Sequence, residues 1–308
     1  MLRLRALFFS FFVVAITSCT TVDRGTTSVA IQQASVIRED IGQQVARHLT
    51  ARYADVRTNC GTDSQPAFLC SGVTIRGTSS NPSYHVWNNS PASIAKGGVS
   101  FSYLRADSTY SRLAYGYTNG FIFNAYFYAD NQLHPEVLCF FPIDAGTANR
   151  PNKGCGAYPG FAGSGPCHLE GVATAAQFWT HYNAHASSRH SYQCGFDVTD
   201  GRNALAGPAF AAGLGAMHLM GVESFNEQNE FIIAAWVDGL GKTLPLEAFF
   251  YLSGTNGLAD AQRNQRDLKA TDGRLIPIIS VRLSRTTTDP ATFSYLPADQ
   301  TELMPPPT

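Results

Sequence analysis

The chain has 308 residues, 44% of them hydrophobic, 12% aromatic and 15% charged, with a formal net charge of −1. That composition supplies a sizeable apolar core and too little charge for a disordered chain. It also lacks the basic excess that a nucleic-acid partner requires, so that class is disfavoured.

The chain starts "MLRLRALFFSFFVVAITSC", with Arg3 and Arg5 ahead of an apolar run from Ala6 to Ile16. A basic start, a short apolar run and small residues before a cleavage point predict a secretory signal peptide over residues 1–18. The run is too short to cross a bilayer as a stable helix. Ile16-Thr17-Ser18-Cys19 resembles the bacterial lipobox, which implies a lipid on Cys19 and an exported protein, either an outer-membrane lipoprotein or secreted. The alternative is that Cys19 leaves with an ordinary signal peptide. Residues 19–29 read as a polar tether. Of the seven cysteines, six remain beyond Cys19: Cys60, Cys70, Cys139, Cys155, Cys167 and Cys194. In an exported chain an even set predicts disulfides. Short intervening loops favour neighbour pairing: Cys60–Cys70, Cys139–Cys155 and Cys167–Cys194. No CxxC pair suggests a metal site instead.

Ile37, Ile41, Val45 and Leu49 recur every fourth residue and predict a helix over 30–52. "SGVTIRGT" follows as a strand, with Val73 and Ile75 inward and Thr74 and Arg76 outward. A turn-rich stretch holds a short helix at 91–96. A second strand runs from about 99 to 105. It places Val99, Phe101 and Tyr103 on one side and Ser100 and Ser102 on the other, with Arg105 and Asp107 just beyond. In "LAYGYTNGFIFNAYFYA", Asn119-Gly120 signals a turn between two aromatic strands. Residues 140–170 read as irregular. Helices are predicted at 174–185, 205–222, 224–241 and 258–270, and strands at 244–252 and 274–283, the latter being the last. Residues 286–308 read as a loose polar tail. The fold expected is α+β: a single disulfide-stapled domain over 30–285, strand-rich first and mixed later.

Familiar catalytic motifs are missing. His181 and His185 share a helix face, but the intervening Tyr182, Asn183 and Ala184 do not make HExxH, and a solvated face explains the pair better. There is no GxSxG, no P-loop, and no GxGxxG after a strand. No metal or bound cofactor is expected. What remains is Arg76 at a strand end, Ser100 and Ser102 on another strand, and "NEQNEF" with Glu227, Gln228 and Glu230. A fixed Arg suits a diphosphate through its bidentate fork. Serines on a strand suit a ribose, and a carboxylate suits positive charge developing at a sugar carbon. Ser224-x-x-Glu227 equally fits a capping box opening a helix. Glu230 would then sit in the first turn of that helix, where an acid is favoured by the dipole alone.

The Arg, Ser-x-Ser and Gln-x-Glu elements resemble those of the ADP-ribosyltransferase toxins, in the same chain order. The first gap is short and the second long for that pattern. A second likeness covers roughly residues 60–285. "CSGVTIRGT", "YHVWNNSP", "GGVSFSYLRAD", "LAYGYTNGFIF", "LHPEVLCFFPIDAGTANRPNKGCGAYPGF", "YQCGFDV" and "LPLEAFFY" resemble halovibrin, an exported bacterial family. The resemblance implies cleavage of NAD at the nicotinamide–ribose bond, with an ADP-ribosyltransferase-like fold. NAD is then the substrate, and a host protein is a further acceptor if transfer accompanies hydrolysis. The lipobox departs from the family, whose members are released.

On that reading Glu230 stabilises the ribosyl cation, with Asp107 the other candidate acid. Arg76 and Arg105 hold the pyrophosphate. Ser100 or Ser102, with Gln228, positions the ribose, and Trp87 or Tyr103 stacks on a ring. Each has a plainer role open to it: Arg105 and Asp107 as a surface ion pair, Trp87 and Tyr103 as core. The competing function is a non-enzymatic, envelope-anchored binding or adhesion lipoprotein, whose aromatic strands would present a contact surface.

Overall fold

Apolar–polar alternation over Val73–Thr78 and Val99–Leu104 produces two neighbouring antiparallel strands, β1 and β2. A computed structural model of the chain describes residues 41–88, 90, 91, 93, 98–125, 138–146, 150, 155–185, 188–199, 203–234 and 244–302. The signal peptide, Cys19, the tether and most of the 91–96 helix lie outside them. Residues 37–308 form one compact unit.

Nine strands make one sheet in the order β5-β4-β6-β2-β1-β3-β7-β8-β9. The others are β3 (Asn119–Phe123), β4 (Leu138–Phe141), β5 (Phe196–Asp197), β6 (Glu230–Ile233), β7 (Leu246–Leu252), β8 (Ile278–Arg282) and β9 (Thr292–Tyr295). All neighbours are antiparallel except β7 and β8, which are parallel and joined through a helix. The helices are α1 (41–54), α2 (Ala175–Asn183), α3 (Arg189–Tyr192), α4 (Ala206–Met220), α5 (Val222–Asn226) and α6 (Leu258–Asp272). The molecule is thus mixed α and β, as expected.

One sheet face carries Phe101, Tyr103, Phe121, Phe140 and Phe231, packed under Phe178 of α2, Phe210 of α4 and Leu268 of α6. Rings of Phe68, Phe210 and Phe231 meet edge to face at 4.6–5.3 Å, a geometry that adds to their area burial. The opposite face is covered in two separate places. α1 lays Ala46, Leu49 and Tyr53 over Val73, Ile75, Ile122 and Phe250. Further along, Cys139, Phe141, Ala145, Cys155 and Ile232 form a small cluster of their own. Both faces being covered, Thr74 is buried and not outward as alternation predicted.

The three neighbour disulfides are formed, closing loops of 10, 16 and 27 residues. Loops of that size restrict the unfolded chain by about 3 kcal/mol each.

Four sequence expectations are corrected. The helix expected over 224–241 is broken early: α5 stops at Asn226 and β6 starts at Glu230, and residues 235–241 lie outside the described residues. The Ser224 hydroxyl turns back to the Met217 and Gly221 carbonyls, so no capping box forms, and Glu227 closes α5. Asn119-Gly120 is no turn. Gly120 lies inside β3 between Gly77 and Phe250, where a Cβ would collide with the Arg76 carbonyl. Its glycine serves a close strand approach. The stretch read as irregular from residue 140 starts in regular structure: Phe140 and Phe141 belong to β4, a buried strand over Leu138–Phe141. The tail is ordered through residue 302. β9 buries Phe293 and Tyr295, and the Gln300 amide bonds both the N–H and the carbonyl of Ile278 at 2.8 and 2.9 Å.

Candidate active site

The pairing pattern opens the sheet at its middle. β1 and β2 are registered from Val73↔Leu104 only as far as Ile75↔Ser102. Beyond that point Arg76, Gly77 and Thr78 pair with β3 alone, and Val99, Ser100 and Phe101 with β6 alone. The two halves part, and a cleft of about 210 Å³ lies at the split. Its lining comes from both faces of the split sheet: Ser100, Ser102 and Glu230 from the twice-covered face, Arg76 and Phe101 from the other.

Into this cleft the chain brings Arg76, Ser100, Ser102, Gln228 and Glu230. Arg76 reaches across the split and its Nη1 donates to the Ser100 carbonyl at 2.8 Å. Burial pulls the guanidinium pKa down, against the pull of Tyr84, Tyr117 and Glu230. Glu230 is 4% exposed. Its Oε1 accepts from the Ser100 hydroxyl at 2.8 Å, and its Oε2 from the Ala145 N–H at 2.9 Å. Two donors on two oxygens suit the ionised carboxylate. Ser102 is one pleat deeper and donates to the Asn229 carbonyl at 3.1 Å, so it braces β6 rather than presenting a hydroxyl. Gln228 accepts the Ala114 N–H at 3.0 Å, and its own carbonyl takes the Asp144 N–H at 2.9 Å.

The remaining candidates lie elsewhere. Arg105 donates to both Asp107 oxygens at 2.6 and 2.8 Å and to the Arg57 carbonyl at 2.7 Å. This pair lines a different cavity, with Val56, Leu214 and His218. Its side chain is 3% exposed against 43% for Asp107, so Arg105 is a structural cation with an exposed partner. Trp87 is core: it meets Phe249 edge to face at 5.9 Å and stacks on His85 at 4.7 Å. Tyr103 is core too, its hydroxyl 3.2 Å from that of Ser71, and burial pushes its pKa up to about 12. Glu227 lines a neighbouring cavity of about 400 Å³ with Arg112, Tyr115 and Asp144, and its carboxylate lies 3.7 Å from His190.

Three site residues escaped sequence reasoning. Tyr115 is 84% exposed at the cleft mouth, with φ of 56°, a left-handed conformation rare for a bulky residue. Asp144 faces it, and its charge is the main reason the Tyr115 pKa is raised. Ala145 supplies a backbone N–H, which no side-chain pattern can announce. Among the described residues no group of three or more His, Cys, Asp or Glu is arranged to hold a metal ion. Comparison with protein-family models gives no match, and comparison with curated proteins gives none either.

Proposed function

We propose that this protein is an exported NAD glycohydrolase of the kind its halovibrin resemblance implies, built on an ADP-ribosyltransferase-like split sheet. The observation that carries the reading is the Ser100–Glu230 hydrogen bond of 2.8 Å, made in a cleft whose other wall is Arg76. Arg, Ser and Glu are far apart in the sequence, and convergence is what the resemblance required of them.

In the proposed reaction the bond between ribose C1′ and the nicotinamide ring nitrogen breaks. Its electron pair goes to the ring, which leaves neutral, and positive charge builds on the ribose as in glycoside cleavage. The Glu230 carboxylate lies where that charge is stabilised, held still by Ser100 and Ala145. Electrostatic groups of this type contribute a few kcal/mol, about a hundredfold or more in rate. Water then adds to C1′ and gives up one proton, yielding ADP-ribose. A protein nucleophile in place of water gives ADP-ribosyl transfer. Arg76 faces the pyrophosphate, and Tyr115 takes the stacking role that Trp87 does not fill. Three disulfides suit an oxidising compartment outside the cytoplasm, in keeping with the signal peptide and lipobox.

The test is to incubate the oxidised protein with NAD and follow free nicotinamide by chromatography. Release above a boiled control is expected. None above that control overturns the reading.

A further inference from the structure

Arg150 is the largest fully buried side chain of the described residues. It lies inside the Cys139–Cys155 loop and donates only to backbone carbonyls. Nε bonds Ala145 at 3.2 Å. Nη1 bonds Gly156 at 3.3 Å and Ser164 at 2.6 Å, and Nη2 bonds His190 at 3.3 Å and Gln193 at 3.1 Å. The guanidinium sits 4.8 Å from the Phe141 ring centroid and 5.7 Å from that of Tyr158. Among the described residues no carboxylate pairs with it directly. A buried cation without a counter-ion is costly, and five carbonyl dipoles and two ring faces offset that cost. Burial pulls its pKa down to about 10, still leaving it charged at neutral pH, and the Glu230 charge acts to raise it.

The geometry points to a purpose for this cation in the cleft. Arg150 grips Ala145 by its carbonyl, and the N–H of the same residue donates to Glu230 Oε2. We infer that Arg150 is a positioning residue for Glu230: it fixes the Ala145 N–H against the carboxylate and supplies, from behind the cleft, the positive charge that keeps that carboxylate ionised. The inference rests on Glu230 being the cation-stabilising acid. Among the described residues, the other groups facing Glu230 include Ser100 from β2, Arg76 from β1, the Ala145 N–H and Asp144 after β4, and Tyr115 across the cleft. Substitution at 150 leaves all of these chemically unchanged, so a change in Glu230 titration reports on Arg150 itself.

Arg150→Met and Arg150→Lys are compared with the parent, each checked for native near-ultraviolet dichroism. Two readouts are taken: the pH profile of nicotinamide release, and the Glu230 carboxyl titration by carbon NMR, assigned with Glu230→Gln. For Arg150→Met the acid limb of kcat moves up by about one pH unit, the NMR midpoint moves with it, and kcat at neutral pH falls roughly a hundredfold. KM for NAD stays within threefold. Arg150→Lys keeps the charge and loses the fork, so its acid limb stays in place while kcat falls about tenfold. A folded Arg150→Met with the parent's pH profile and NMR midpoint overturns the inference. If neither variant folds, Ala145→Pro removes the N–H with Arg150 in place; a kcat within twofold of the parent then overturns it. If the parent releases no nicotinamide, the functional reading fails, and the NMR midpoints still decide whether Arg150 sets the Glu230 charge.

Discussion

The Asn229 side chain pairs with the backbone of Tyr103 as a strand residue would. Its Oδ1 accepts the Tyr103 N–H and its Nδ2 donates to the Tyr103 carbonyl, both at 2.7 Å. The pairing extends the β2–β6 contact past its last ladder residue, Phe101↔Phe231, and sets Glu230 beside Ser100. Asn229→Leu strands both backbone groups of Tyr103 in the core, at about 1–3 kcal/mol each. A fall in Tm of roughly 5–15 °C is expected, with loss of nicotinamide release. An unchanged Tm contradicts the clamp.

Asp107 is half-exposed and faces away from the cleft, towards Arg105. Asp107→Asn is expected to change stability by under about 1 kcal/mol and to leave nicotinamide release within twofold. A large loss of turnover with normal folding would return Asp107 to the list of catalytic acids.

The disulfides are unequal in consequence. Cys60–Cys70 is the most accessible of the three, with both residues half-buried, whereas Cys139–Cys155 packs against Ala145 beneath Glu230. Replacing Cys60 and Cys70 by Ala costs about 3 kcal/mol and is expected to spare turnover per folded molecule. The same exchange at Cys139 and Cys155 is expected to lower stability and turnover together. Equal turnover for the two double variants, measured at matched folded fraction, contradicts the link between that loop and Glu230.

Burial holds the Tyr103 phenol protonated up to about pH 12, and the phenol of Tyr110, whose pKa is likewise raised by burial, behaves the same way. The folded state therefore binds their protons more tightly than the unfolded state, whose tyrosines titrate near pH 10. Their contribution is fully present below about pH 10 and is lost as pH rises towards 12. Chemical denaturation at fixed temperature is expected to show stability independent of these groups between pH 7 and 9 and a steep fall above 10. Tyr103→Phe reduces that slope. A slope identical to the parent's contradicts the assignment.

The strands around the split were legible because each alternates cleanly: Val73 and Ile75 against Arg76, Val99 and Phe101 against Ser100. Amphipathic patterns mark α2 and α6, whereas α4 is a long run of small and apolar residues nearly all round. β6 was hidden by two competing signals. Ser224-x-x-Glu227 has capping-box spacing, and "EFIIAAWV" is apolar without period, which suits a buried strand and a buried helix alike. Sheet pairing with β2 and β4 decides it. The tail misled because its polar residues mask the alternation of Phe293 and Tyr295. Arg76, Ser100, Gln228 and Glu230 were found as a set through residue type and chain order. Arg105, Asp107 and Trp87 were drawn in by nearness in sequence, which a twisted sheet does not convert into nearness in space. Ala145 contributes a backbone N–H and the Arg150 guanidinium is held by backbone carbonyls, and backbone partners leave no mark on the pattern of side chains.

The central claim is that Glu230, bonded to Ser100 and Ala145, stabilises charge developing on the ribose. Glu230→Gln keeps the shape and one acceptor oxygen while removing the charge. Its rate of nicotinamide release from NAD, measured at saturating substrate against the parent, is expected to fall at least a hundredfold, with KM within threefold. A kcat within a few fold of the parent, in a folded variant, would contradict the account and move the catalytic role to another acid.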